Sequence, residues 1–361
     1  MEITDVAVVG RDIPLADDFP VSYEDHRTTD HVFVRLHTDD GTTGDGEGTA
    51  LPWFTGETTR SMVAFLDDWL VPRIEGSTVE DATRELATFG SDFPHNAGGK
   101  AAVELALLDL QSKRAGVPLW ELLGVRHRET VPCVYPVPGL SPERAREVAE
   151  SGVDAGYRRF KIKATGDIPP DVARIDAVLD QLPADATARV DANTGWETYP
   201  RAKRAITAIA DTAKIEYFEQ PVAPDRPEDL QKLWEDTGIP VYADEFVHAP
   251  GDVERIGREG LARGCHLKLA KTGSLRTMAD MARIADRYRL NATAVSAFGT
   301  SLEATAILHL AAVIPAIPAA CELDPTLLAD DPTDDPLVVG PETPVPDGPG
   351  IGVSLDDSLF E

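Results

Sequence analysis

Apolar and polar positions alternate through the first forty residues. ITDVAVVGRDIPL and HVFVRLHTDDG each show the period of two expected of a half-buried strand. ADDFPVSYEDHRTTD lies between them, dense in charge and turn formers, and predicts a loop. A glycine-rich stretch from Gly41 to Gly48 predicts a turn leading into ALPWFTGET. The period then lengthens. A helix is expected to start at Thr55, Thr58 or Thr59 and to continue through RSMVAFLDDWLVPRI. A second, from Asn96 towards Leu123, has Ala101, Leu105, Leu108 and Ala115 among its apolar positions, and Gly116-Val117-Pro118 breaks it. Strands followed by helices predict an α+β unit over residues 1–125.

The texture changes at Val131. Eight short apolar runs follow, VPCVYPV, RRFKIKA, TARVDAN, IEYFEQP, IPVYADE, CHLKLAK, NATAVSA and PAACELD, mostly at 24–30-residue intervals. Helical segments such as PERAREVAESGVDAG and RTMADMARIADRY separate them. This alternation predicts an α/β chain whose βα units close into a barrel over residues 126–325. An open doubly wound sheet is disfavoured, because no GxGxxG turn follows the first strand. The tail, residues 326–361, is rich in Pro, Asp and Gly and is expected to run back over the first unit as loop.

Composition narrows the class. Hydrophobic residues make up 42% of the chain, enough for a sizeable core. No run approaches the roughly 20 apolar residues of a membrane span. The N-terminus lacks a basic region followed by an apolar run, so no signal peptide is expected. Cys133, Cys265 and Cys321 are odd in number and far apart, which argues against a disulfide framework and fits a reducing, cytoplasmic setting. Acidic residues number 62 against 34 basic, a net charge of −28 that repels nucleic-acid phosphates. Only nine of the basic residues are lysines, against 25 arginines. An acid-rich, lysine-poor surface suggests a halophilic cytoplasm in which salt screens self-repulsion.

Functional groups of a parallel barrel gather at the C-terminal ends of its strands. The second run ends in Lys161-Ile162-Lys163, whose lysines share one face. The third ends in Asp191 and Asn193, the fourth in Glu219, the fifth in Asp244 and Glu245, and the sixth in Lys268 with Lys271 just beyond. Four of nine lysines thus fall at two strand ends. Asp191, Glu219 and Asp244 come from consecutive strands and offer three hard oxygen ligands, a set that suits Mg²⁺ better than zinc. Any one of them alone would equally serve as a counter-ion to a lysine. Lys163 and Lys268 lie four strands apart in a ring of eight and so face each other. A carboxylate substrate on the metal would then hold its α-carbon between two amines, one to remove the proton and one to return it. Such a lysine needs a depressed pKa, and Lys161, Lys271 and the metal are expected to supply the push. His266 is read as out of step with Lys268 and hence as a packed side chain, and His248 as an exposed-loop residue.

These residues resemble the enolase superfamily, and within it the muconate-lactonizing-enzyme subgroup. The resemblance spans nearly the whole chain: Gly44-Asp45-Gly46-Glu47, the helix AAVELALLDLQSKRAGVPLWELLG, then KIK, DAN, FEQP, ADE and KLAKTG. It implies a modified TIM barrel, (β/α)₇β, with an N-terminal α+β capping domain. It further implies Mg²⁺ on Asp191, Glu219 and Asp244, an acid/base pair in Lys163 and Lys268, and a substrate-carboxylate contact at Lys161. It also implies a homo-oligomer. Mandelate-racemase-like members carry a catalytic His near the seventh strand, where this chain reads Thr293-Ala294-Val295-Ser296. Phe246 and Gly273-Ser274 depart from the common pattern beside the pocket. Glu303 fits the family's glutamate after the seventh strand, either supporting the site or favoured by a helix N-terminus.

The subgroup isomerises several carboxylates through one enolate. LKLAKTGS, with its second lysine Lys271, resembles both dipeptide epimerases and cycloisomerases. Glu322-Leu323-Asp324 resembles the acid pair that holds a dipeptide's ammonium, with the first acid changed to Glu as in cycloisomerases; solvation of a very acidic strand end explains the pair equally well. The expected activity is epimerisation of a dipeptide or N-acyl amino acid, then muconate-type cycloisomerisation, then o-succinylbenzoate synthesis. A non-catalytic barrel would need neither both lysines nor all three acids. The substrate itself depends on loops 16–28 and 49–58.

Overall fold

The computed structural model describes residues 1–361 except 21–24, 51, 316–319 and 324. Three antiparallel strands open the chain: β1 (Ile3–Pro20), β2 (Asp25–Thr38) and β3 (Thr43–Ala50). The charged segment expected to be a loop is instead largely strand. The β1–β2 pairing continues to Phe19↔His26 and Pro20↔Asp25 after an irregularity between Pro14 and Phe19. Residues 21–24 of that segment lie outside the described residues.

The glycine-rich stretch turns only at its start, where Gly41 has φ 84°, and is strand from Gly44 to Gly48. Gly44, Gly46 and Gly48 share one face of β3, and helix Ala97–Ala115 runs directly across it. A Cβ on any of the three would collide with backbone oxygens of Ala106, Ala102 or Gly98. Glycine is required here by close approach of two backbones. The helix starts and stops where the sequence signals it, with Asn96 (φ 54°) and Gly116 (φ 69°) left-handed at its two ends. Thr58 caps the preceding helix, Thr59–Phe65.

The barrel strands are β5 (Tyr135–Val137), β6 (Arg159–Lys163), β7 (Thr187–Asp191), β8 (Ile215–Glu219), β9 (Val241–Ala243), β10 (Gly264–Lys268) and β11 (Asn291–Val295). They pair in parallel in chain order. A short outer pair, β4 (Thr130–Pro132) with β12 (Glu342–Pro344), flanks them. Among the described residues of the eighth apolar run, Cys321 and Glu322 bridge Cys133 and Val295 in parallel, which links β11 to the segment just before β5.

Two glutamates of the N-terminal unit terminate barrel helices. Glu47 on β3 accepts from Thr300 N (2.9 Å), Thr300 Oγ1 (2.6 Å) and Glu303 N (3.0 Å) at the start of helix Ser301–Val313. Glu104 accepts from Ser274 Oγ (2.7 Å) and Leu275 N (2.5 Å) at the start of helix Leu275–Arg287. Both satisfy amides that a helix leaves without partners at its N-terminus. The tail meets the same unit. Ile351 N donates to Asp109, Leu355 N to Asp45, and Arg35 binds both Asp45 and Asp357.

Candidate active site

Period-two alternation turns every second residue of a strand towards the barrel axis, and the strand ends therefore deliver their side chains to one mouth. Asp191 closes β7 and Glu219 closes β8, while Asp244 lies one residue past β9. All three are fully buried. The backbone there is unusual: Asn193 (φ 40°), Thr194 (φ 63°), Gln220 (φ 33°), Ala297 (φ 47°) and Phe298 (φ 68°) are left-handed without being glycine, just past β7, β8 and β11. Such conformations are costly and concentrate where a site must be shaped. Gln220 repays part of that cost by accepting from Asp244 N at 2.9 Å.

The four strand-end lysines divide into two kinds. Lys161 Nζ lies 2.9 Å from Asp191 Oδ2, 3.0 Å from Glu219 Oε1 and 2.6 Å from Glu322 Oε2. Lys271 donates to Asp244 Oδ1 (2.7 Å), Asp244 O (2.7 Å) and His266 O (3.1 Å). An ammonium has three donors, so both are saturated by the protein. Lys271, expected at the substrate, has its side chain 0% exposed and directed onto Asp244. Lys163 reaches Asp191 Oδ2 (2.7 Å) and Asn193 Oδ1 (3.2 Å). Lys268 donates to Asp244 Oδ2 at 2.6 Å, with the Phe54 ring 5.2 Å from its Nζ. These two keep donor capacity, and β6 and β10 stand four strands apart.

Charge in the site is unevenly held. Burial opposes ionisation of Asp191, but Lys161, Lys163 and Lys268 outweigh it and hold the carboxyl well below the usual range. Asp244 is held low in the same way by Lys268 and Lys271. Burial raises Glu219 far above its ordinary value, and Asp191 adds to the effect. Burial, with Asp244 and Asp191, pushes Glu245 up to about 7. Lys268 departs from expectation. Burial lowers it, but Asp244 wins and raises it above an ordinary lysine, so the protein alone does not make it a base.

Asn193 ties the mouth together: its N–H donates to Asp191 Oδ1 (2.8 Å) and its Nδ2 to Glu245 Oε1 (3.2 Å). Glu303, fully buried, accepts from Thr49 Oγ1 at 2.8 Å and sits at the helix start that Glu47 terminates. Ser274 caps helix Leu275–Arg287 and binds Glu104, so this departure from the family pattern serves docking of the two units. His248 is exposed at the rim, 6.3 Å from the Phe54 ring. Phe19 meets Phe298 edge-on at 5.6 Å, so both outer segments reach the mouth. Asp324 lies outside the described residues.

His266 is packed and hydrogen-bonded as expected, but its register was misjudged. It stands two residues before Lys268, not one, and shares its inward face. Its Nε2 lies 3.2 Å from Glu219 Oε2 and 3.1 Å from Tyr217 Oη. Arg189, Tyr217 and Tyr242 occupy the matching positions, two residues before Asp191, Glu219 and Asp244, and are buried. Reading each strand one alternation deeper finds this polar layer in the sequence.

Glu219 Oε2 is buried with no aligned hydrogen bond, and its neighbours Asp191 and Asp244 add only hard oxygens. That donor set fits a small hard divalent cation such as Mg²⁺. A second arrangement is tighter: among the described residues Glu219, His266 and Glu322 form the group whose ligand atoms all lie within 4.8 Å of one another. That group already faces the positive charges of Lys161 and Arg189. The strand-end acids face lysines as well, so what recommends them for a hard cation is their all-oxygen donor set.

Residues 3–124 match the model of the mandelate racemase/muconate lactonizing enzyme N-terminal domain, and residues 143–359 that of the enolase C-terminal domain-like family. The chain belongs to the enolase superfamily. Within it, the relatives are those of the muconate-lactonizing-enzyme subgroup. The chain is 27% identical over 311 residues to the N-succinyl-L-Arg/Lys racemase of Bacillus cereus, covering 86% of this chain and 84% of that one. It is 30% identical over 334 residues to a chloromuconate cycloisomerase of Cupriavidus pinatubonensis, covering 91% and 89%. The solved dipeptide epimerase of Cytophaga hutchinsonii, complexed with Mg and the dipeptide D-Ala-L-Val, matches with a TM-score of 0.93 at 25% identity, over 100% of this chain and 98% of that one. All three are isomerases, and this chain is an isomerase as well.

Proposed function

We propose that the enzyme epimerises or racemises a dipeptide or N-acyl amino acid by moving its α-proton between Lys163 and Lys268. The observation that carries this reading is the division of the lysines. Two are saturated by protein acceptors, and the two with donors to spare among the described residues come from β6 and β10, four strands apart. Asp191, Glu219 and Asp244 would hold Mg²⁺, which supplies positive charge against the charge that builds on the substrate carboxylate as the α-carbon loses its proton. Lys163 is steadied by Asp191 and Asn193, and Lys268 by Asp244 with Phe54 packed over it. One amine takes the proton from one face of the α-carbon, and the opposite amine delivers a proton to the other.

Glu322 bears on the choice of substrate. Burial works against its charge, but Lys161 and Arg189 hold its carboxyl down at about 2, and its Oε2 is engaged by Lys161. The ammonium of a dipeptide would then fall to Asp324. An N-acyl amino acid carries no ammonium and needs neither acid, which supports that half of the proposal. The muconate-type cycloisomerase is the second reading, favoured by the glutamate at position 322.

Deuterium incorporation at the α-carbon in D₂O tests the scheme. The wild-type enzyme with Mg²⁺ is expected to exchange the α-hydrogen and scramble configuration. Lys163→Ala and Lys268→Ala should each lower epimerisation by at least about a thousandfold, with unchanged circular dichroism. Full epimerisation by either variant sinks the two-amine mechanism, and a lactone product would establish the second reading.

A further inference from the structure

Lys163 is the last residue of β6, and the loop that follows it is held by two charged side chains with no part in the scheme above. Asp171 and Arg174 stand one turn apart in helix Ile168–Gln181 and are 0% and 4% exposed. Asp171 Oδ1 accepts from Thr165 N (2.8 Å), Thr165 Oγ1 (3.0 Å) and Arg174 Nη1 (2.8 Å). Its Oδ2 accepts from Gly166 N (3.0 Å) and Trp196 Nε1 (3.0 Å). Arg174 donates onward to two backbone carbonyls. Nε reaches Leu140 O, in the loop after β5, at 2.5 Å, and Nη1 reaches Lys163 O at 3.2 Å.

A buried ion pair commonly does no more than satisfy its own charges. What sets this one apart is the destination of the remaining donors. An amine on a flexible four-carbon stem is only as well placed as the backbone that carries it. The peptide leaving Lys163 is gripped on both sides, its oxygen by Arg174 and the N–H of Ala164 by Asp191 O at 2.8 Å. That fixes the plane of the peptide, and with it the heading of the Lys163 side chain. The planar fork of a guanidinium suits the task, because its donors keep fixed directions. These contacts all gather beside β6, whereas Lys268 stands on β10, four strands away.

We propose that Arg174, held by Asp171, is a positioning residue for Lys163, aiming one of the two proton-transferring amines and leaving the other untouched. The proposal rests on the reading of Lys163 and Lys268 as the acid/base pair.

Exchange of the α-hydrogen in D₂O with Mg²⁺, read separately from N-acetyl-L-phenylalanine and N-acetyl-D-phenylalanine, tests it on the full chain. Each lysine serves one face, so Lys163→Ala shows which epimer Lys163 serves. Full exchange of both epimers in that variant defeats the lysine-pair reading itself. Arg174→Gln should slow exchange of the Lys163 epimer by about a hundredfold, the scale of a misplacement near 1 Å. The other epimer should still exchange at the wild-type rate, with retention, through Lys268. Arg174→Lys, which keeps the charge without the fork, should recover part of the loss. Equal losses on both epimers, or no loss on either, overturn the positioning role alone. Crystal structures supply a readout without substrate. In Arg174→Gln, Lys163 Nζ should shift away from Asn193 while Lys268 keeps its contact to Asp244, and a Lys163 in its wild-type place overturns the proposal. If the glutamine variant does not fold, Arg174→Lys carries both measurements.

Discussion

How many of an ammonium's three donors the protein occupies decides what else that lysine can do. Lys271 spends all of its donors on Asp244 and the His266 carbonyl, so its replacement acts on stability before it acts on substrate. Lys271→Met should lower unfolding free energy by about 3 kcal/mol, since it removes a partner from a buried charge. Urea denaturation checks this, and a variant with unchanged stability and a raised KM would restore the substrate-binding role. The residues at the strand ends were readable in advance because alternation is strict and their chemistry is dense. His266 was misread by a slip of one position in that same alternation. Saturation of Lys271 was not readable, because it depends on where the Asp244 carbonyl turns after β9.

Helix ends carry their own tests. Glu104 meets the N-terminus of helix Leu275–Arg287 from another part of the fold, and burial holds its carboxyl above the ordinary value. Glu104→Ala should cost about 1–2 kcal/mol, the usual loss for removing a cap, measured by the urea midpoint. No change there would mean that solvent satisfies those amides. In helix Ser301–Val313, His309 accepts from Trp120 N at 3.2 Å and faces Ile351 O at 2.8 Å. Burial pushes His309 down to about 4 from an ordinary 6.5. The unfolded chain therefore takes up a proton near 6.5 that the folded chain refuses until about 4. Stability from this residue is complete above pH 6.5 and drains away as pH falls towards 4, by about 3 kcal/mol in all. His309→Gln should flatten that stretch of the stability curve, and parallel curves for the two proteins would contradict it. At this scale the sequence misled at β3, where glycines read as a turn mark the crossing of a helix that begins some fifty residues later. Local patterns do not carry such long-range approaches.

Across the whole molecule the net charge of −28 dominates. We propose that high salt is part of this enzyme's working environment, because screening relieves repulsion that the fold otherwise bears alone. The melting temperature should climb steadily with KCl up to molar concentrations and fall on dialysis into dilute buffer. A flat response would remove the halophilic reading. The expectation of a first unit followed by a barrel came from the change of texture at Val131. The closing element was read there too, as PAACELD, and among its described residues Cys321 and Glu322 form the bridges. Glu47 and Glu104 bear on any attempt to re-engineer this enzyme by grafting. A chimaera that took its outer domain from a relative with other preferences would have to import acids at both positions. Without them the barrel would lose the two anchors beside β10 and β11, and the new specificity would sit on a loosened catalytic wall.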